Sequence, residues 1–292
     1  MFNNRRFLPE KSCILGAAIL GLVIGTLLIS SFIQSSDNRY SLLCSLSGGK
    51  TARAAAEYAA TPVQLKAIIQ YATSRVVPQQ SLAEISVTFD VLKKASPCNF
   101  LVFGLGHDSL MWTSLNPGGT TLFLEEDHKW FQSVLRGSPT LRAHTVRYRT
   151  ELQQADGLLA AYRTEPYCSP TKAYLRGNER CKLALANLPD EVYDKEWDLI
   201  MIDAPRGYFP EAPGRMAAIF SAAVMARARR GSGVTHVFLH DVDRKVEKAY
   251  AEEFLCRKHL VKAVGRLWYF AIPPAAIVSS SADNGTAGAW FC

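Results

Sequence analysis

The chain has no Cys-x-x-Cys pair and no block of Lys and Arg interleaved with aromatics. The first absence excludes the common structural zinc spacings. The second excludes an electrostatic footprint for nucleic acid. The formal charge of +7 is spread along the chain, which suits a mild attraction for acidic ligands and no more. No internal repeat is visible, so the fold is not read as a repeat array. A second long apolar run is missing as well. The one that exists, Cys13 to Ile33, carries no charge and is long enough, at about 20 residues, to cross a bilayer core as a helix.

Arg5, Arg6 and Lys11 precede that run, with Glu10 as the only acid. The positive-inside rule then places residues 1–12 in the cytosol and the rest across the membrane. A cleaved signal peptide is the competing reading, but its apolar region is shorter, which favours an uncleaved signal anchor over 13–33. Residues 34–60 are rich in Ser, Gly and Ala and read as a stem. A folded domain is expected over 61–275, followed by a loose tail over 276–292 that holds the only glycosylation sequon, Asn284-Gly-Thr286. Of seven cysteines, the six beyond Cys13 would face an oxidising compartment, where an even number permits disulfides. Cys168 and Cys181 flank a polar stretch and could close a local loop; other pairings are not readable.

Within 61–275 the pattern alternates. Thr61-Pro62 starts a helix to about Ser74, and Ser81-Leu-Ala-Glu84 is a capping box for a second, ending near Ser96-Pro97. Strands are expected at Phe100–Phe103, Thr121–Leu124, Ala143–Arg147, Asp198–Ile202 and Thr235–Leu239. Helices are expected at His107–Leu115, Asp127–Leu135, 151–162, 213–230 and Asp243–Phe254, with 163–188 irregular. Apolar strands alternating with helices mean a mostly parallel sheet covered on both faces. The last two runs, Leu260–Val264 and Leu267–Ile272, are joined only by Gly265-Arg266, so they must be antiparallel. The fold class read from this order is an α/β, Rossmann-like sheet of the methyltransferase type, mostly parallel with an antiparallel final strand.

Ligands of such sheets bind beyond the carboxyl ends of the strands. There the first strand runs into Gly104-Leu105-Gly106-His107-Asp108-Ser109, and the second ends in Glu125-Glu126. Glycines let a ligand approach the backbone, and an acid beyond the second strand accepts hydrogen bonds from ribose hydroxyls. The alternative is a tight turn plus a surface carboxylate. The fourth strand ends in Asp203 and the fifth in His240-Asp241. A carboxylate at the end of a buried strand is costly unless used or paired. Plainer readings stand beside these: Asp203 capping the loop before Pro205, Asp241 as an N-cap, His107 and Cys98 as structural, and Arg227–Arg230 as a solvated helix end. Asp241-Val-Asp243 also matches the short metal and nucleotide-sugar signature of many glycosyltransferases, a weak signal in isolation.

The segment Cys98-Asn-Phe-Leu-Val-Phe-Gly-Leu-Gly-His-Asp-Ser-Leu-Met-Trp112 resembles the core motif of the plant polysaccharide glucuronic acid 4-O-methyltransferase family. Trp197–Tyr208, Glu211–Met216, His236–Asp241 and Glu253–Cys256 extend the resemblance over about 97–273. Asn116–Thr120, Arg142–Val146 and Gly265–Phe270 are most similar to its arabinogalactan branch. The resemblance implies a single-pass type II Golgi membrane protein with a luminal domain. It implies methyl transfer from S-adenosylmethionine to O4 of glucuronic acid on arabinogalactan side chains. A glucuronoxylan acceptor, a luminal glycosyltransferase and a non-catalytic wall-assembly factor are the alternatives. By analogy Gly104, Leu105, Gly106 and Ser109 hold the cofactor's amino-acid end and Glu125 its ribose.

Methyl transfer to a sugar hydroxyl needs a base in reach or a cation that lowers the hydroxyl pKa. Asp203 and Asp241 end adjacent strands and could share a divalent ion, with His240 as base. Without metal, Asp203 or His240 is the base. Arg206 and Arg215 are the candidates to grip the acceptor carboxylate, and Tyr208 to stack on a sugar ring.

Overall fold

The computed structural model describes residues 60–170, 172–275 and 291–292. The expected anchor, the stem up to residue 59 and Asn284 lie outside the described residues. Among the described residues no helix is long and apolar enough to cross a membrane.

The described residues from Thr61 onward form one compact unit. It opens with α1 (Pro62–Thr73), whose N-cap Thr61 accepts from the Gln64 N–H while the Gln64 side chain returns to the Thr61 N–H. The same reciprocal cap between Ser81 and Glu84 starts α2 (Leu82–Ala95). The alternation then follows: β1 (Asn99–Phe103), α3 (Ser109–Ser114), β2 (Thr120–Glu125), α4 (His128–Gly137), β3 (Arg142–Thr145), α5 (Ala155–Tyr162), α6 (Asp190–Asp194), β4 (Leu199–Ile202), α7 (Met216–Arg227), β5 (Thr235–Leu239), α8 (Lys245–Tyr250), β6 (Leu260–Val264) and β7 (Leu267–Ile272).

The seven strands form one sheet in the order β3-β2-β1-β4-β5-β7-β6. The first five pair in parallel, while β7 runs antiparallel to both β5 and β6. This is the class I methyltransferase arrangement. Alternate strand residues feed two buried layers. Leu101, Phe103, Ile200, Ile202, Val237 and Leu239 pack into one; Phe100, Val102, Leu199, Met201 and Phe238 into the other. Neither face of the central strands meets water, so they read as continuous apolar runs.

Several boundaries move for physical reasons. The helix expected from residue 213 begins only at Met216, because Gly214 turns with φ +65° and the Arg215 side chain is drawn into the strand ends. The helix expected to run to Phe254 gives way after Tyr250 to a π turn, Ala251–Leu255, that ends at Cys256 with φ 72°. Arg227 and Arg229 are not solvated. Arg227 lies over the Phe291 ring and donates to the Phe291 carbonyl at 3.2 Å, and Arg229 pairs with Asp198 at 2.9 Å. Cys168 and Cys181 do form a disulfide. A second bridge, Cys256–Cys292, was unreadable from spacing. It shows that the tail's last residues are docked, with Phe291 buried against Phe220 and Phe254. Cys98 is free and buried.

Asn116 fastens the starts of β1 and β2. It is 3% exposed, accepts from the Cys98 N–H at 3.1 Å and donates to the Cys98 carbonyl at 3.0 Å and to Thr121 Oγ1 at 3.1 Å. Asn116→Ala strands the buried Cys98 N–H and removes the amide's bonds to the Cys98 carbonyl and Thr121, while that carbonyl keeps the Thr120 N–H at 2.9 Å, so stability should fall by about 2–3 kcal/mol. Thermal unfolding should then shift down by about 5–10 °C; a shift under about 2 °C would show that water replaces the amide.

Candidate active site

The strand ends are brought level by ladder bonds that run one residue past each strand. Gly104 N–H donates to the Leu124 carbonyl at 2.8 Å, Asp203 N–H to Phe103 at 3.0 Å, and His240 N–H to Ile202 at 3.1 Å. Between β1 and β4 the order of connection reverses, which leaves a crevice between the loops. A cavity of about 420 Å³ opens there. The glycine turn, Glu125 and Glu126 at the end of β2, the loop after β4, Tyr71 of α1 and residues 76–80 ahead of α2 line it.

One side of the cavity is built from backbone. Gly104 has φ +120°, and a Cβ on it would lie 3.2 Å from the Ala204 Cβ. Glycine therefore serves both conformation and close approach. Glu125 is buried at the end of β2. Its Oε2 accepts from the Leu105 N–H at 3.0 Å and its Oε1 from the Asp127 N–H at 2.9 Å. Burial, reinforced by the neighbouring Glu126 charge, pushes its carboxyl up to about 7. Gly104, Leu105, Gly106 and Glu125 all face the cavity, as the spacing implied. Ser109 does not. It is 1% exposed, and its hydroxyl accepts from the Gly106 N–H at 2.9 Å, so it shapes the turn instead of touching a ligand. His107 packs its ring edge against Trp130 at 5.5 Å and also lines the cavity.

The other side is a cluster of charges. Asp203 Oδ1 meets His240 Nδ1 at 2.9 Å and Arg215 at 3.3 Å, while Oδ2 accepts from Gln80 Nε2 at 3.0 Å. Burial alone would raise this carboxyl, but the His240 hydrogen bond and the Arg215 charge outweigh it and hold Asp203 below the usual range. Asp241 sits at φ 62° with its side chain 4% exposed. Arg215 (2.8 Å) and Arg244 (3.0 Å) hold its Oδ2, and Arg266 (2.7 Å) holds Oδ1.

Three sequence-based assignments change. His240 is fully buried and does not line the cavity; its Nε2 has no hydrogen-bond partner, and Glu84 Oε1 lies 3.8 Å away. It cannot reach an acceptor hydroxyl and serves to orient Asp203. Arg215 has a side chain 4% exposed, and its guanidinium is taken by the Asp203, Pro205 and His240 carbonyls and two carboxylates. It lines the cavity, but its charge is engaged by Asp203 and Asp241 and is not a free cation for an acceptor carboxylate. The expected ion at Asp203 and Asp241 meets the same difficulty. Their ligand atoms and that of His240 lie within 4.8 Å of one another. Yet both Asp241 oxygens already face guanidinium groups, and a divalent cation there would join three arginines. As these groups stand, the donor set does not fit a metal. Arg206 and Tyr208 remain at the cavity mouth; Arg206 is paired with Asp127 at 2.5 Å, and Tyr208 is 69% exposed.

Gln80, Arg244 and Arg266 carry no local signal in the sequence. Gln80 merely precedes a capping box, and the arginines read as surface charge. Arg266 also donates to the Gln79 carbonyl at 3.0 Å, so it ties the β6–β7 turn to the segment before α2.

Glu125 yields a pH test. Its carboxyl is raised in the fold, so its ionisation opposes folding, and stability is lost as pH rises through about 7. A diol ligand needs the carboxylate as acceptor, so affinity for a ribose-bearing cofactor should rise with pH through that region and be about tenfold weaker at pH 6 than at pH 8. Calorimetric titration of S-adenosylhomocysteine checks this. Glu125→Gln should flatten the profile and lower affinity by about 10–100-fold while thermal unfolding at pH 8 is unchanged or higher. A retained pH profile in the variant would refute the assignment.

The sequence profile of the IRX15/IRX15L/GXM family matches residues 83–270. The chain is 67% identical to arabinogalactan O-methyltransferase 1 of Arabidopsis thaliana, over 94% of this chain and 96% of that protein. It is 62% identical to arabinogalactan O-methyltransferase 2 of the same plant, over 93% of each. Glucuronoxylan 4-O-methyltransferase 1, also from Arabidopsis thaliana, is 45% identical over 91% of this chain and 90% of that protein. The profile runs from α2 into β7 and includes Gly104, Glu125, Asp203, His240 and Asp241, and the chain belongs to the IRX15/IRX15L/GXM family.

Proposed function

We propose that the protein is an S-adenosylmethionine-dependent O-methyltransferase that methylates O4 of glucuronic acid on arabinogalactan. One observation carries this reading: a single cavity has a glycine turn with a ribose-type acid on one side and an oriented, ionised carboxylate, Asp203, on the other. The identities of 67% and 62% to arabinogalactan O-methyltransferases, against 45% to a glucuronoxylan enzyme, favour the arabinogalactan acceptor. Two disulfides suit an oxidising compartment. With the apolar run Cys13–Ile33, that supports a Golgi membrane anchor and a luminal domain. A glycosyltransferase reading through Asp241-Val-Asp243 is disfavoured, because the Asp241 carboxylate is caged by arginines.

When bound, S-adenosylmethionine supplies a sulfonium methyl, which passes in line to the acceptor oxygen as the carbon–sulfur bond electrons leave to sulfur. Gly104 to Gly106 admit the cofactor's amino-acid end against bare backbone, and Glu125 accepts from the ribose. Asp203 accepts the acceptor's hydroxyl proton. A carboxylate held ionised is a weak base, but that proton becomes strongly acidic as the oxygen gains its third bond. A well-placed weak base is then sufficient. Gln80, His240 and Arg215 hold the Asp203 carboxylate in place, so its position does not have to be found during the reaction. Arg206 and Arg244, both in the cavity wall, provide positive charge for the acceptor carboxylate, and Tyr208 a face for its ring.

The test is methyl transfer by the full chain in detergent, with labelled S-adenosylmethionine and arabinogalactan or glucuronoxylan as acceptor. Label should enter arabinogalactan, and a chelator should leave the rate within about twofold, since no step here uses an ion. Asp203→Asn should lower kcat by about 10²–10⁴-fold with cofactor affinity retained. Undiminished turnover by Asp203→Asn would remove the proposed base, and label in glucuronoxylan alone would overturn the acceptor.

A further inference from the structure

The loop after β4 exposes two consecutive aromatics, Tyr208 at 69% and Phe209 at 38%. This loop is not slack. Gln153 N–H donates to the Pro210 carbonyl at 3.0 Å, Leu152 N–H to Ala212 at 2.7 Å, Gly214 N–H to Arg206 at 2.9 Å, and Thr150 Oγ1 to Pro213 at 2.8 Å. Beneath it Gly207 sits so close to the buried Glu247 that a Cβ would come within 2.7 Å of Oε1. Leaving apolar rings in water forfeits their burial, at roughly 25 cal/mol per Å². A rigid loop that does so beside a ligand cavity is presenting them.

Phe209 lines a second, shallow and open groove with Pro213, His128, Lys129, Asp127, Arg206 and Glu126. The groove and the cavity share Arg206 and Glu126 in their walls, so they are adjacent. Arg206 stands at the junction, held there by Asp127, whose other carboxylate oxygen caps α4 through the Lys129 and Trp130 N–H groups.

We propose that this groove is a second acceptor subsite: it takes the sugar next to the uronic acid that occupies the cavity. The C–H face of a pyranose packs on Phe209, and Lys129, His128 and Arg206 donate to hydroxyl or carboxylate oxygens at its edge. The assignment rests on the methyltransferase reading for its direction, since it makes the enzyme prefer oligomeric acceptors over a lone uronic acid.

The experiment compares two acceptors, methyl glucuronide and a galacto-oligosaccharide tipped with glucuronic acid, in the full chain. Wild type should show a kcat/KM ratio of at least about tenfold in favour of the oligosaccharide, and Phe209→Ala and Lys129→Ala should each lower that ratio by about tenfold, the worth of one good ring or charge contact. Phe209→Tyr should keep it, and melting curves confirm that the variants fold. A ratio that neither variant moves, or a wild type that treats both acceptors alike, would overturn the proposal. Calorimetry with the 4-O-methylated oligosaccharide gives a readout independent of turnover. Binding that weakens in Phe209→Ala while wild type transfers no methyl would uphold the groove and sink the methyltransferase reading. Absence of binding by wild type would sink the groove.

Discussion

The buried carboxylate of Asp241 is the interaction on which the end of the sheet depends. A charge that is 4% exposed is not tolerable alone. It is surrounded by guanidinium groups from three separate places: Arg215 ahead of α7, Arg244 ahead of α8, and Arg266 in the β6–β7 turn. Each of these arginines binds something else. Arg215 takes the carbonyls of Asp203 and His240, and Arg266 takes that of Gln79. The one anion thus gathers the loop after β4, the end of β5, the C-terminal hairpin and the segment before α2 around a single point. Loss of one partner from a buried cluster of this kind costs about 3–5 kcal/mol, far more than a surface pair.

Two carboxylates in one cavity are driven in opposite directions by their surroundings. Glu125 has backbone N–H groups and another acid for neighbours, and burial raises it to about 7. Asp203 has a histidine and an arginine, and is held low. Carboxylates separated in this way can divide labour within one site. The first suits a neutral polar ligand whose hydroxyls reward ionisation, and the second suits a group that must be charged whenever substrate arrives.

Much of this was legible in the sequence. Apolar runs closed by polar or glycine residues placed β5, β6 and β7 with the bounds observed. The two-residue link at Gly265-Arg266 dictated the antiparallel final pair. The glycine turn and Glu125 were readable because they are local and their spacing has a mechanism. What was not legible is what the arginines do. Arg215 read as a free cation beyond a strand, and only tertiary structure shows its charge paired with Asp203 and Asp241. His240 read as a base at a strand end, yet its ring turns into the protein, where Asp203 and Glu84 flank it. Gln80 lies 123 positions from its partner Asp203, a separation over which no sequence periodicity carries information.

The hydrogen bond between Arg266 and the Gln79 carbonyl joins residues 187 positions apart. A contact of this separation closes a very long loop and depends on nearly all the structure between its ends. The catalytic cavity is therefore a property of the finished molecule. The parallel strands can assemble as far as β5 and still lack one wall of the cavity, because the turn that fastens it is made near the end of the domain. Fluctuations that peel the β6–β7 hairpin from β5 would release the segment before α2 and dissolve the site while the central strands stay paired. Hydrogen exchange at the hairpin amides should accordingly track loss of ligand binding more closely than exchange in β1 or β4.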